Sequence, residues 1–186
     1  MGRITQTQID NIQLDYGLVY LNYGEDDQAY VGLTQEGAEF TATAEIRDIE
    51  FDGRRGKTAG LRTIDAQDAM IKTSLLASDL ATLDKVMANV KKASETKIQN
   101  AAFGVIPASK NLKNVTVFGR TIGGKYKKIT VYNALGDNGI TIAMKDKAEG
   151  VVPVEISGHL DPLTDIESAV LWEMEDVDAI EPAPGA

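Results

Sequence analysis

Apolar and polar positions alternate strictly through residues 38–47. Phe40, Ala42, Ala44 and Ile46 fall on one side, and Glu39, Thr41, Thr43, Glu45 and Arg47 on the other. A period of two is that of a half-buried β-strand. After this run the apolar phase slips by one, to Ile49 and Phe51, which predicts a β-bulge near Asp48. Gly53, Gly56 and Gly60 then make a flexible or tightly turned connection, and residues 61–76 read as a second strand. The period changes next. Leu80, Leu83, Val86, Met87 and Val90 recur at helical spacing and predict a helix at about 79–91. Ser78 is its expected N-cap, Asp79 suits the first turn, and Lys91 and Lys92 suit the C-terminal end. One apolar stripe on so short a helix is a face packed on a sheet.

The rest of the chain reads mostly as strands. Residues 14–23 are β-prone and apolar on both faces around Leu18–Leu21, as in a strand covered on both sides. Residues 29–33 read as a short strand, and 93–110 as a loop that leaves room for a short strand at 101–106. The runs 114–121, 126–134 and 139–145 are separated by Gly123-Gly124 and by Gly136-Asp137-Asn138-Gly139, both hairpin signals. In 151–160, Val152, Val154 and Ile156 share a face, and Pro153 calls for an edge position or a bulge. Residues 163–186 are ambiguous. Thr164 with Glu167 fits a capping box ahead of Ile166, Val170 and Met174, yet the run SAVLWEME reads equally as an added strand. The end, EPAPGA, is expected to be disordered.

Charge changes this picture at one point. The formal net charge is −9, and the acids are concentrated at the end: residues 161–186 hold eight acids and no base. The first 160 residues are nearly neutral, with a basic stretch over 111–147. Such asymmetry suits head-to-tail pairing between copies, against the plainer reading of solvated surface charge. Composition otherwise excludes chemistry. There is no cysteine, which removes disulfides, thiolate zinc sites and thiol nucleophiles, and His159 is the single histidine. The first ten residues lack the apolar core of a signal peptide, and no apolar run approaches a membrane span, so synthesis in the cytoplasm and no membrane insertion are expected. Gly2 is poorly placed for myristoylation because Gln6 stands where Ser or Thr is needed.

Four stretches are candidate sites. GRRGKT at 53–58 has two residues between its glycines where a phosphate-binding loop needs four, and it joins two predicted strands rather than a strand and a helix. His159 with Asp161 lacks a nucleophile, so a structural histidine at a strand end is the better reading. Glu25, Asp26 and Asp27 lack the spaced ligands of a calcium loop and read as a solvated turn. The run VFGRTIGGKYKK offers Phe118 and Tyr126 for base stacking and Arg120, Lys125, Lys127 and Lys128 for phosphates, in an otherwise acidic chain. No catalytic, metal or cofactor-binding residue is assigned, and no enzymatic activity is expected.

The segment EIRDIEFDGRRGKTAGLRTIDAQDAMIKTSLLASDLATLDKVM (45–87), the opening YGLVYLNYGEDD and the closing VPVEISGHLDP resemble the major tail proteins of long, non-contractile-tailed bacteriophages, the Gram-positive phage and prophage type nearest. The likeness covers most of residues 12–162. It implies a mainly β fold, with two antiparallel sheets packed as a sandwich or small barrel and one flanking helix, forming a domain over 1–162. Residues 163–186 follow as an acidic segment that departs from the family pattern. It also implies a structural virion protein, made in the host cytoplasm and found in the virion tail. Hexameric rings would stack into a tube that conducts double-stranded DNA at ejection. Its partners would be further copies of itself, the tape measure and tail-end proteins. Carried onto this chain, 45–62 matches the hairpin that reaches a neighbouring ring or subunit, with Asp52, Arg54, Arg55, Lys57 and Arg62 as inter-subunit contacts. The alternative is a β-sandwich binding module for nucleic acid or carbohydrate.

Overall fold

The computed structural model describes residues 4–13, 17–53, 55–76, 79–142, 146, 149–165 and 167–181. Several expectations lie outside these residues: Gly2, the 14–16 start of the first strand, Arg54, the Ser78 cap, 143–145 of one predicted strand, Ile166, and the tail 182–186.

In chain order the elements are α1 (Gln6–Asp10), β1 (Leu18–Leu21), β2 (Ala29–Tyr30), β3 (Thr34–Asp48), β4 (Arg62–Leu75), α2 (Leu80–Val86), β5 (Val90–Ser94), β6 (Lys97–Asn100), β7 (Leu112–Arg120), β8 (Tyr126–Gly136), β9 (Val152–Ser157) and β10 (Trp172–Val177). All strand pairings are antiparallel. One sheet runs β2-β1-β7-β8-β10 and the other β3-β4-β9. They meet at β8, whose far edge pairs with β10 over Tyr126–Val131 and with β9 at Leu135 and Gly136. The protein is therefore mainly β, two antiparallel sheets packed together with a flanking helix, as the sequence implies.

The core lies between the sheets. Val19, Leu21, Val115, Val117 and Val131 from the first sheet meet Ala69, Ile71, Leu75, Val152, Val154 and Ile156 from the second. Each such large aliphatic side chain contributes roughly 1.5–3 kcal/mol relative to exposure. Leu83, Val86 and Met87 close one end. The first sheet is covered on its other face as well. Phe118 is buried there among Tyr20 and Tyr23, and Tyr30 packs on Tyr20. This explains why residues 18–21 read as apolar on both faces.

The structure corrects the sequence in several places. The helix is two turns, not 79–91. Asp79 caps it by accepting from the Thr82 amide at 3.2 Å, and Met87 is already extended. The chain leaves the helix because Met87 bridges Gly136, whose carbonyl accepts from the Ala88 amide at 3.1 Å. Gly136 allows this approach: a Cβ there would sit 2.2 Å from the Val86 carbonyl oxygen. Val90, in phase with the helix, is buried instead as the first residue of β5. Residues 101–106 form no strand, nor do 139–142. The bulge near Asp48 lies three residues earlier and on the partner strand. Glu45 pairs with Ala66 and Ile46 with Ile64, leaving Asp65 as the extra residue. A second irregularity falls at Glu36 and Gly37, both with positive φ (65° and 75°). The ambiguous C-terminal run is a strand.

Pro153 sits where β8 no longer covers β9. The Asn138 side chain takes over that edge, donating to the Pro153 carbonyl at 2.9 Å and accepting from the Glu155 amide at 3.1 Å. A residue without an N–H is tolerated at such an edge.

Candidate assembly surface

The β3–β4 hairpin outgrows the sandwich. From Ala42 to Arg47 on β3 and from Ile64 to Asp68 on β4 every residue is exposed, so both faces of this part meet solvent. The alternation that marked 38–47 as half-buried is present, but beyond Phe40 none of the described residues covers its apolar side. Six residues at about 3.3 Å each carry the arm roughly 20 Å from the core.

Phe40 pairs with Ile71, Ala42 with Ala69, Ala44 with Gln67 and Ile46 with Ile64, so the apolar face of the core runs on along the arm. Ile46, Ile49, Phe51 and Ile64 are each about half exposed there or just beyond. On the opposite face Arg47 donates to both Asp65 oxygens (2.6 and 3.3 Å). Beyond Ile46 on the apolar side, Asp48 accepts from Arg62, its cross-strand partner, at 3.0 Å. β3 itself pairs with β4 alone among the described strands, so its outer edge is a long strand edge. Such an edge is a template for pairing with another chain.

Of the residues expected at an inter-subunit contact, Asp52, Arg55 and Lys57 are exposed in the connection between the two strands. Arg62 lies at the base of β4 in the ion pair with Asp48. The structure therefore brings Arg62 together with Asp48, not with the other three. Residues 53–58 join two strands, which is not the setting of a phosphate-binding loop.

A second apolar surface was not foreseen. Phe103 and Val105 are fully exposed on the loop after β6, with Ile106 half exposed. They line an open cavity of about 1150 Å³ together with Asp84 and Lys110. The run AAFGVIP carries the signal: it is the loop the sequence predicts, without the short strand at 101–106. Burial opposes ionisation of Asp84, yet hydrogen bonds from Lys110 at 2.8 Å and from the Lys92 amide at 2.9 Å outweigh it and hold the carboxyl below its ordinary value.

The basic run on β7 and β8 is not an open surface. Phe118, expected to stack on bases, is buried. Lys128 pairs with Glu175 at 2.7 Å, Lys127 with Asp176 at 2.8 Å and Lys125 with Asp178 at 3.0 Å. The basic middle and acidic end of the chain thus meet within one molecule, where the sequence had pointed to pairing between copies. Tyr132 adds to the junction: partial burial, and then its hydrogen bond to Glu173, push its hydroxyl up to about 12. At the far end the Tyr23 hydroxyl accepts from the Glu181 amide at 2.9 Å.

The remaining candidates are structural. His159 follows β9, its Nδ1 3.1 Å from the Asn133 carbonyl oxygen. Glu25 is ion-paired with Lys113, and Asp27 accepts from the Asn22 amide group at 2.6 Å. No group of three or more metal-ligating side chains occurs among the described residues, and none of their helices is long and apolar enough to cross a membrane.

No protein-family model matches the chain, and no curated protein matches it. Among solved structures it is similar to a chain in the "Virion of native gene transfer agent (GTA) particle", at 13% identity and a TM-score of 0.41, covering 76% of this chain and 88% of that one. It is also similar to a chain in the "Tail of empty GTA particle computed with helical refinement, C6 symmetry", at 13% identity and a TM-score of 0.37, covering 75% and 88% respectively.

Proposed function

We propose that this chain is a structural tail-tube subunit of a phage-type particle, without catalytic activity, that forms hexameric rings stacked into a conduit for double-stranded DNA. The projecting β3–β4 arm carries the reading. An apolar strip that leaves the core and stays uncovered over Ile46 and Ile64 is completed only by another molecule. The long free edge of β3 points the same way, because ring closure removes sheet edges that otherwise pair without limit. The sequence resemblance over residues 12–162 supplies the kind of assembly. Rings that stack head-to-tail extend as an open filament, the geometry of a tube. The tape measure and tail-end proteins would be the other partners, and the virion tail the location.

Electron microscopy of the concentrated protein tests this. Rings or tubes with a lumen wide enough for duplex DNA are the expected result. A monomer at every concentration, with and without a tail-end nucleating protein, would overturn it.

A further inference from the structure

The last strand places acids against bases one for one. Glu175, Asp176 and Asp178 each hold one of Lys128, Lys127 and Lys125, and Trp172–Val177 runs in register with Tyr126–Val131. Arg120, exposed and opposite Tyr126 across the β7–β8 hairpin, adjoins the same end. Without β10, this corner would present four cations on the β7–β8 hairpin. We infer that β10 is an acidic cover over a latent polyanion-binding strand, and that it keeps these lysines off duplex DNA.

Three observations support the inference. Lys127 and Lys128, adjacent in β8, point to opposite faces of the sheet, so they flank the edge that β10 occupies, and an anion lying along that edge meets both. The cover is attached lightly, since its acids at 175, 176 and 178 are exposed and such pairs are individually weak. Tethering compensates, because a joined segment competes at high effective concentration with any free anion. The occupant of the bare strand is taken to be DNA because exposed lysine ammonium groups answer phosphate charge. In a DNA conduit three uncovered lysines per copy would act as a brake, which is the only point that rests on the tail-tube reading.

The experiment uses the full chain carrying E175Q, D176N and D178N together, with binding of a labelled DNA duplex measured against the unaltered protein at low salt. The variant should bind at least tenfold tighter than the unaltered protein. With three phosphates neutralised, a tenfold rise in salt should weaken the variant's binding by roughly 500-fold. Adding K125Q, K127Q and K128Q should remove the gain. Fluorescence of Trp172, the only tryptophan, reports whether β10 stays docked. D178N alone, at the most exposed pair, should give a smaller gain without risk to folding. The inference is overturned if neither variant gains DNA affinity or if the gain survives loss of the three lysines. It is also overturned if the freed strand joins a second copy rather than DNA. DNA binding is read on the unassembled chain, so failure here leaves the ring test untouched, and the reverse.

Discussion

Single polar residues fix the first sheet where side chains must turn a corner. Asn22 has φ 51° just after β1, and its carbonyl side-chain oxygen accepts from the Lys113 amide at 2.9 Å. Asn114 answers from β7. Its Oδ1 accepts from the Tyr23 amide at 2.8 Å and its Nδ2 donates to the Tyr23 carbonyl at 3.0 Å. Both asparagines are buried, so each bond stands in for one that water would supply. Asn114→Ala should strand both Tyr23 groups and cost about 2 kcal/mol in urea denaturation. Asn114→Asp should retain the bond from the Tyr23 amide, lose the one to its carbonyl, and fall between. Nothing in the sequence marks Asn114, because its role exists only once residues 91 positions apart are adjacent.

Whole elements were legible where one face is wholly buried or one turn is glycine-rich. Val152, Val154 and Ile156 gave β9 directly, and the hairpin signal at Gly123-Gly124 gave β7 and β8. The end of α2 was not legible, because Val90 keeps helical phase while a contact at Gly136 pulls the chain out at Met87. The β5–β6 hairpin was hidden by its polarity, only Val90 being buried. The arm was half legible: its alternation is plain, but a sequence cannot say whether the cover is inside the chain or outside it. β10 was legible only as an alternative, since its acids disfavour a helix end without naming the lysines they meet. Its attachment should respond to alkali. The folded Tyr132 titrates at about 12, above the roughly 10 of an unfolded tyrosine. The protonated form is therefore the one the fold favours, and its contribution is complete below about pH 10 and lost as pH rises toward 12. Trp172 fluorescence should change over that window, and Tyr132→Phe should abolish the tyrosine-linked part. An unchanged profile in Tyr132→Phe would remove Tyr132 from the attachment.

At the scale of the whole molecule, a closed core and an open arm do different work. The core is continuous across both sheets and stabilises one copy by itself. The arm adds little to that stability, because its residues are exposed on both faces. Phe51→Ser with Ile64→Thr should therefore leave thermal unfolding within about 0.5 kcal/mol of the unaltered chain. The same pair should abolish rings or tubes in electron microscopy. Assembly that persists in this variant would show that the arm's apolar side is not a contact.

One extra residue decides which way that arm is sticky. With Asp65 inserted opposite the Glu45–Ile46 step, Ile64 lands on the same side as Ile46. The same chain paired without that bulge would set Asp65 opposite Ile46 and Ile64 opposite Arg47, sending the two isoleucines to opposite sides of the ribbon. Its grip would then be divided between left and right, with neither half broad enough to hold.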